Sequence, residues 1–167
     1  MYKRQIFAAA QSADPSLIAR EQSRLTHGAT DAVESCELLA RWLAAALATG
    51  DKATALKSQT WQGSSQALAR VAAGSFRKMA RNAVRSTGYS VDTIEAAAWA
   101  VSTTATFEEA VVAAVNLAGD ADTIGAVTGQ IAGAVYGLSA IPDRWLSRLA
   151  WRDRLVSVCR RLFDRTP

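Results

Sequence analysis

Asp120 and Asp122 stand one residue apart after a short segment that contains Gly119, and Thr123 follows them directly. Where the backbone turns at such a place, the two carboxylates point towards one spot, with the threonine hydroxyl beside them. Carboxylate, hydroxyl and water oxygens are the ligands that hard cations such as Mg²⁺ or Mn²⁺ prefer. These three residues therefore predict a site for a divalent cation.

The apolar segment after Asp122 is patterned as a helix, and its start allows two further interpretations. Free N–H groups and the positive end of the helix dipole attract an anion. A metal beside such a helix start suggests a phosphorylated or nucleotide-like substrate. Alternatively, an aspartate before a helix is most often an N-cap, and Asp120 or Asp122 could serve in that way with no metal.

The distribution of charge favours the cation over a simple cap. Residues 91–140 contain six acidic side chains and no lysine or arginine, which gives this block a formal charge of −6. A bound cation would relieve the repulsion, although charged blocks are usually solvated faces. The six are Asp92, Glu95, Glu108, Glu109, Asp120 and Asp122.

The chain resembles the ADP-ribosylglycohydrolases, the family that includes dinitrogenase reductase-activating glycohydrolase. The resemblance is carried by an ordered series of segments between Leu25 and about Leu149, and the series is more specific than its Asp-x-Asp-Thr core alone. The segments are Leu25-Thr26-His27, residues 88–100, Phe107-Glu108-Glu109-Ala110, residues 116–123, the glycines at 125, 129, 133 and 137, Ile141-Pro142 and Trp145.

The resemblance implies hydrolysis of an ADP-ribosyl glycosidic bond, with ADP-ribose released from a modified arginine or serine of a protein. In the family, two divalent cations, Mg²⁺ or Mn²⁺, hold the ribose hydroxyls and polarise the reacting water. Asp120, Asp122 and Thr123 match the family's C-terminal metal ligands. Asp120 and Asp122 are therefore the expected catalytic residues, and ADP-ribose or an ADP-ribosylated protein is the expected partner.

Four further residues are expected substrate contacts by the same resemblance. They are His27, Tyr89, Asn116 and Gly119. Each has a plainer alternative where the residue alone is considered: a lone histidine is usually a hydrogen-bonded structural residue, Tyr89 could pack on its own helix rather than stack on adenine, and Asn116 could simply cap a helix end.

The family's N-terminal ligands are missing from this sequence. Family members are considerably longer and carry a Thr-Asp-Asp triplet that supplies the other half of the metal site, whereas no Asp-Asp pair occurs here. The resemblance therefore implies an N-terminally truncated domain that corresponds to the C-terminal part of the family. The alternative to an enzyme is an inactive fragment, or a helical module that binds ADP-ribose or metal without turnover.

Composition predicts an all-α, compact multi-helix bundle in a single domain over residues 1–167. Half of the 167 residues are hydrophobic, many of them alanine, and few β-branched runs alternate with polar residues. Residues 1–15 have no counterpart in the family pattern and are expected to be disordered or non-native. An incomplete bundle would leave apolar faces uncovered, which predicts self-association.

Local signals predict where the helices begin and end. Asp14-Pro15 predicts a helix start, Thr49-Gly50 a helix end, and Thr106 with Glu109 a capping box. Asp31 with Glu34, and Asp92 with Glu95, predict two more caps. Longer helices are expected over residues 64–86, where Gly74 would weaken the helix or mark a break, and over residues 123–141, the latter as the buried central helix of the bundle. The glycines every fourth residue in it predict close approach of another backbone or a ligand.

Several function classes are disfavoured by the same observations. Residues 123–141 are uncharged and contain G-x-x-x-G, but the glycines, Gln130 and hydroxyl residues keep the hydrophobicity low for a membrane helix. The basic residues are spread along helices with no aromatic platform, so no nucleic-acid partner is expected. Cys36 and Cys159 are predicted to be small core residues, and the apolar stretch near the N-terminus is too short for a signal peptide. The expected location is the cytoplasm.

Overall fold

The computed structural model describes residues 14–164, and this part of the chain contains nine α-helices and no strand. The prediction of an all-α protein is confirmed for these residues, while all but the last two of residues 1–15 lie outside the described part. The helices are α1 Pro15–Arg24, α2 Thr30–Thr49, α3 Lys52–Ala55, α4 Gln66–Ala72, α5 Ser90–Thr103, α6 Phe107–Val115, α7 Ala121–Tyr136, α8 Asp143–Leu146 and α9 Arg152–Asp164.

The α5 helix lies at the centre of the bundle, with α2, α4, α6 and α7 packed around it. Its alanines at 96, 97, 98 and 100 are fully buried, so neighbouring helices approach it from several sides. The expectation that residues 123–141 form the central helix is therefore wrong. One face of α7 is exposed, including Asp122 and Thr123.

Aromatic side chains from separate segments meet in the core beside α5. Trp42 of α2 and Phe76 are both almost completely buried, and their ring centroids lie 5.9 Å apart in an edge-to-face arrangement. Phe107 of α6 makes a similar contact with Trp145 of α8, at 6.1 Å. These contacts fix α2 and α6, the helices that flank the candidate site described below.

Helix ends marked by short-range signals are where they were predicted. The Asp14 carboxylate accepts a hydrogen bond of 2.9 Å from the backbone N–H of Ser16 at the start of α1. The Thr106 hydroxyl accepts one of 3.1 Å from Glu109 at the start of α6. At the end of α2, Gly50 adopts φ of 65° and donates to the Ala46 carbonyl.

The two longer helices end earlier than the predicted ranges. The helix expected over residues 64–86 stops at Ala72, because Gly74 takes a left-handed φ of 94° and the chain continues as short 3₁₀ turns at Ser75–Lys78 and Arg81–Ala83. The helix expected to reach residue 141 stops at Tyr136, where Gly137 has φ of 81°. In both cases glycine permits a backbone conformation that a helix cannot contain.

Three other local predictions are wrong. The α2 and α5 helices have Ala29 and Tyr89 at their N-cap positions, and neither start has a side-chain cap, so Asp31 and Asp92 do not cap. Cys36 is exposed, since the buried face of α2 passes through Leu38 and Trp42, and Cys159 is half-buried.

The glycines of α7 do not form one continuous face of close approach. A side chain on Gly129 would meet nothing within 4 Å, whereas at Gly125 a Cβ would lie 3.0 Å from Val115. Across residues 14–164, no helix has both the length and the apolar character needed to cross a bilayer.

Candidate functional site

A strained turn between α6 and α7 carries Asp120. Ala118 and Gly119 both adopt left-handed φ angles, of 62° and 63°. For alanine this conformation costs roughly 1–2 kcal/mol, and such strain persists only where the surrounding structure enforces it. The turn brings the chain directly to Asp120, after which α7 begins at Ala121.

The turn is held by the loop that precedes α5. The Asp120 N–H donates a 2.9 Å hydrogen bond to the Ser86 carbonyl, and the Ser86 hydroxyl donates to the Leu117 carbonyl at 3.2 Å. A Cβ at Gly119 would overlap the Ser86 carbonyl oxygen. Gly119 is thus required for this backbone contact, and its predicted contact with substrate stays a prediction.

The two aspartate carboxyl groups lie together at the start of α7. The pKa of Asp122 is below its ordinary value, first because its carboxyl shares a hydrogen bond with that of Asp120, and then because the backbone N–H groups of Thr123 and Asp122 favour its charge. Asp120 occupies the N-cap position, but its side chain accepts no hydrogen bond from the helix. A carboxylate oxygen of Asp120 instead lies beside Gly88. Simple capping therefore does not account for Asp120.

Most of the acidic block of residues 91–140 has partners that are not metal ions. Asp92 pairs with Arg85 at 3.2 Å, and Glu108 pairs with Arg144. Glu95 accepts from the Ser75 hydroxyl and Glu109 from the Ala105 N–H. Among residues 14–164, Asp120 and Asp122 have no lysine or arginine partner. The charge argument made from the sequence thus narrows from six carboxylates to these two.

Tyr89 extends from the same loop across to α2. Its hydroxyl donates to the Asp31 carboxylate, and this hydrogen bond is the first cause that raises the pKa of Tyr89 above its ordinary value. Its backbone N–H donates to the Thr87 hydroxyl at 3.2 Å, and that hydroxyl donates to the buried Asp92 at 2.6 Å. The ring is 41% exposed. Tyr89 is therefore directed away from its own helix, with much of its ring open to solvent.

Three helices begin within this hydrogen-bonded region. The start of α7 is joined to the loop before α5 through Ser86, and the loop is joined to the first turn of α2 through Tyr89. The hydroxyls of Ser35 in α2 and Ser90 in α5 are also 3.4 Å apart. The N-terminal ends of helices carry partial positive charge, so this region favours a bound anion.

His27 and Asn116 lie at the borders of this region. His27 is exposed between α1 and α2, four residues before Asp31, and its Nδ1 is 3.0 Å from the Thr26 hydroxyl. Asn116 is the C-cap residue of α6, as its plainer alternative predicted, and its carbonyl accepts a 2.6 Å hydrogen bond from Arg81.

A shallow pocket of about 500 Å³ adjoins the turn. It is lined by Arg81, Asn82, Val84, Asn116 and Leu117, so neither aspartate lines it. The chemistry belongs to the carboxylate pair rather than to this pocket, because the pocket contains no acidic side chain.

The side chains present account for part of a metal coordination shell. Within residues 14–164, no three His, Cys, Asp or Glu side chains converge in a manner that would hold a metal ion. Asp120, Asp122 and Thr123 supply two carboxylates and one hydroxyl. Mg²⁺ requires six oxygen ligands in octahedral geometry and usually keeps several waters. These three residues therefore fit one side of a hard-cation site.

The family assignment follows from comparison with known proteins. Residues 5–167 match the family model described as ADP-ribosylglycohydrolase. The chain belongs to the ADP-ribosylglycohydrolase family. A solved structure described as an ADP-ribosylglycohydrolase-related protein complex aligns with a TM-score of 0.87 and 38% identity, covering 97% of this chain and 57% of that chain.

Curated relatives of this family member carry hydrolase names. The ADP-ribosylarginine hydrolase Tri1 of Pseudomonas putida is 41% identical over 146 residues, which are 87% of this chain and 39% of that protein. The ADP-ribosyl-[dinitrogen reductase] glycohydrolase of Rhodospirillum rubrum is 45% identical over 65 residues, 39% of this chain and 22% of that protein. The chain thus spans about two fifths of the length of the Tri1 hydrolase.

Two site residues were missed when the sequence was considered alone. Asp31 and Asp92 carry the pattern of helix caps, and nothing in their spacing indicates that they hold Tyr89 and Thr87. Asp31 is 58 positions from Tyr89, beyond the range of any turn or cap signal.

Proposed function

We propose that this chain carries part of the active site of a hydrolase that cleaves ADP-ribosyl glycosidic bonds and releases ADP-ribose from a modified protein. The observation that carries the proposal is the pair Asp120 and Asp122, which lies at a helix start without a cationic side chain nearby. Membership in the ADP-ribosylglycohydrolase family supports the same reaction.

Mg²⁺ or Mn²⁺ is the proposed cofactor, held on this side by Asp120, Asp122 and Thr123. When bound, it supplies Lewis-acid polarisation of the reacting water and orientation of the ribose hydroxyls. The two carboxylates bring negative charge to one point, and the strained turn with its Ser86 contact keeps them there before any ligand arrives. Such preorganisation lowers the cost of binding.

The remaining proposed contacts surround this pair. The open face of Tyr89 suits stacking on adenine, and the joined helix starts suit the diphosphate. His27, Asn116 and Gly119 stay proposed substrate contacts at the border of the site. An ADP-ribosylated arginine is the proposed substrate linkage, since the Pseudomonas putida relative is named as an ADP-ribosylarginine hydrolase.

A second candidate function is binding of ADP-ribose and one cation without turnover. It is favoured by the absence, within residues 14–164, of a third carboxylate that converges on Asp120 and Asp122. A cytoplasmic location, a single domain over residues 1–167 and self-association stay predictions. Exposed apolar side chains such as Leu25, Leu138 and Trp151 agree with self-association.

The first test is thermal unfolding of the chain with Mn²⁺ or Mg²⁺, with and without ADP-ribose. A ligand that binds only the folded state raises the midpoint with its occupancy. We expect a rise that disappears in Asp120→Asn and Asp122→Asn and persists in the control Asp143→Asn, which removes an exposed aspartate at the start of α8.

Activity is then measured as ADP-ribose released from peptides modified on arginine or on serine. Release that requires the metal and both aspartates supports the hydrolase, with the preferred peptide identifying the linkage. Binding without release supports the second candidate. An equal metal response in wild type and both aspartate variants would exclude these carboxylates from the site.

A further inference from the structure

Tyr89 has an exposed ring whose position depends on one distant carboxylate. The ring is 41% exposed, and its hydroxyl donates to Asp31 on α2, a helix that contributes no other part of the loop. A half-exposed aromatic side chain on a loop otherwise keeps rotamer freedom, which binding must remove. The hydrogen bond to Asp31 removes that freedom in advance.

The Asp31 carboxylate is itself held in place and charged. Ser65 and Tyr89 donate hydrogen bonds to it, in that order of importance, and these hold the pKa of Asp31 below its ordinary value. Ser65 is fixed in turn, because its backbone N–H donates to the buried Glu34 carboxylate at 3.0 Å. Asp31 also lies in the first turn of α2, where the helix dipole favours negative charge.

The backbone of the loop is held by different residues. The Tyr89 N–H donates to Thr87, which is bound to the buried Asp92, and Ser86 is tied to Asp120 and Leu117. None of these bonds involves Asp31. Loss of the Asp31 carboxylate therefore frees the Tyr89 side chain and leaves the loop and the aspartate pair in place.

We propose that Asp31 is a positioning residue that fixes the Tyr89 ring for the adenine end of the ADP-ribosyl group. Asp31 touches neither the aspartate pair nor the bond that is cleaved, and it acts through the Tyr89 hydroxyl. This inference rests on the proposed function. It adds to the site a carboxylate from α2 that determines affinity for the nucleotide without contributing to the metal site.

The test is a set of variants titrated with ADP-ribose in the presence of Mn²⁺, with Mn²⁺ binding measured separately by calorimetry. Asp31→Ala and Tyr89→Phe are each expected to weaken ADP-ribose binding about 3- to 10-fold, the effect of freeing one immobilised side chain. The double variant is expected to be no weaker than either single variant, because both changes remove the same hydrogen bond. The Mn²⁺ affinity and the affinity for ribose 5-phosphate, which lacks adenine, are expected to stay unchanged.

Tyr136→Phe is the matched control for the hydroxyl change. The Tyr136 hydroxyl is buried in the described part of the chain without a hydrogen-bond partner, and its removal is expected to leave ADP-ribose binding unaffected. Tyr89→Phe also keeps Asp31 in place, so it tests the proposal even where Asp31→Ala unfolds the chain.

The outcomes separate this proposal from the proposed function. Wild-type affinity in Tyr89→Phe, or additive losses in the double variant, would overturn the positioning role alone when Tyr89→Ala weakens binding. Wild-type affinity in Tyr89→Ala would overturn the adenine contact itself and this proposal with it.

Discussion

The backbone N–H of Asp120 donates a 2.9 Å hydrogen bond to the carbonyl of Ser86, which joins the turn before α7 to the loop before α5. The bond links the carboxylate pair to the loop that carries Tyr89. Because it is a backbone contact, it depends on the shape of the turn rather than on the identity of Ser86. The turn itself depends on the left-handed conformation of Gly119.

Gly119→Ala is expected to lower stability by about 2 kcal/mol or more and to weaken Mn²⁺ binding. A left-handed alanine costs about 1–2 kcal/mol, and its Cβ would also overlap the Ser86 carbonyl. Urea unfolding and calorimetric titration with Mn²⁺ measure the two effects. Gly129→Ala is the control, since it lies within α7 with open space around it and should stabilise by about 0.5–1 kcal/mol. Equal stability of the two variants would contradict the role given to Gly119.

Glu34→Gln is expected to destabilise the chain by about 1–3 kcal/mol at neutral pH. Glu34 is 3% exposed, and its carboxylate accepts hydrogen bonds of 2.8 Å from the Trp61 indole, 2.8 Å from the Ser64 N–H and 3.0 Å from the Ser65 N–H. A neutral amide cannot accept all three equally well. Chemical denaturation at pH 7 measures the loss.

The contribution of Glu34 is also expected to disappear in acid. Burial raises the pKa of its carboxyl, but the donors from Trp61, Ser65 and Ser64 outweigh burial and hold the pKa below its ordinary value. A group whose pKa is lower in the folded state stabilises fully above its unfolded pKa, about 4.3 for glutamate. This stabilisation is lost as the pH falls through the folded pKa. The stability difference between wild type and Glu34→Gln should therefore be constant from pH 7 to 5 and shrink below about pH 4, as midpoints measured across this range would show.

Glu37→Gln is expected to cost about 1.5–3 kcal/mol and to loosen α1 from α2. The buried Glu37 carboxylate pairs with Arg20 of α1 and with Arg41 of α2, both at 2.6 Å. The exposed pair of Glu21 and Arg24 is the matched control, and Glu21→Gln should change stability by less than about 0.5 kcal/mol. Faster amide hydrogen exchange in α1 of the Glu37 variant alone would identify the undocked helix; exchange that stays slow would argue against this role.

Thr128→Val is expected to stabilise the chain by about 1 kcal/mol. The Thr128 side chain is fully buried in α7, and its hydroxyl has no hydrogen-bond partner within residues 14–164. Replacing an unsatisfied buried hydroxyl with a methyl group of similar shape removes a desolvation penalty. Thr93→Val has the opposite expectation, because the buried Thr93 hydroxyl donates to the Tyr89 carbonyl at 3.2 Å. A lower unfolding midpoint in Thr128→Val would mean that the hydroxyl has a partner in solution.

The sequence by itself determined the helical class, several helix ends and the chemical character of the site. Asp14, Gly50 and Thr106 act on backbone groups within four residues of themselves, so their effect can be read locally. The aspartate pair is equally local, because Asp120 and Asp122 share one turn. Family membership also followed from an ordered series of short segments.

Only the tertiary structure decided which loops meet at the aspartate pair and which carboxylates remain without partners. Asp31 and Asp92 carry the pattern of caps, yet they bind Tyr89 and Thr87, and four of the six acidic residues in the block found partners that spacing does not reveal. Asp31 and Tyr89 are 58 positions apart. Contacts over such separations follow from how α2, α5 and α7 pack around buried alanines, and packing depends on side-chain shape across the whole core rather than on any local pattern.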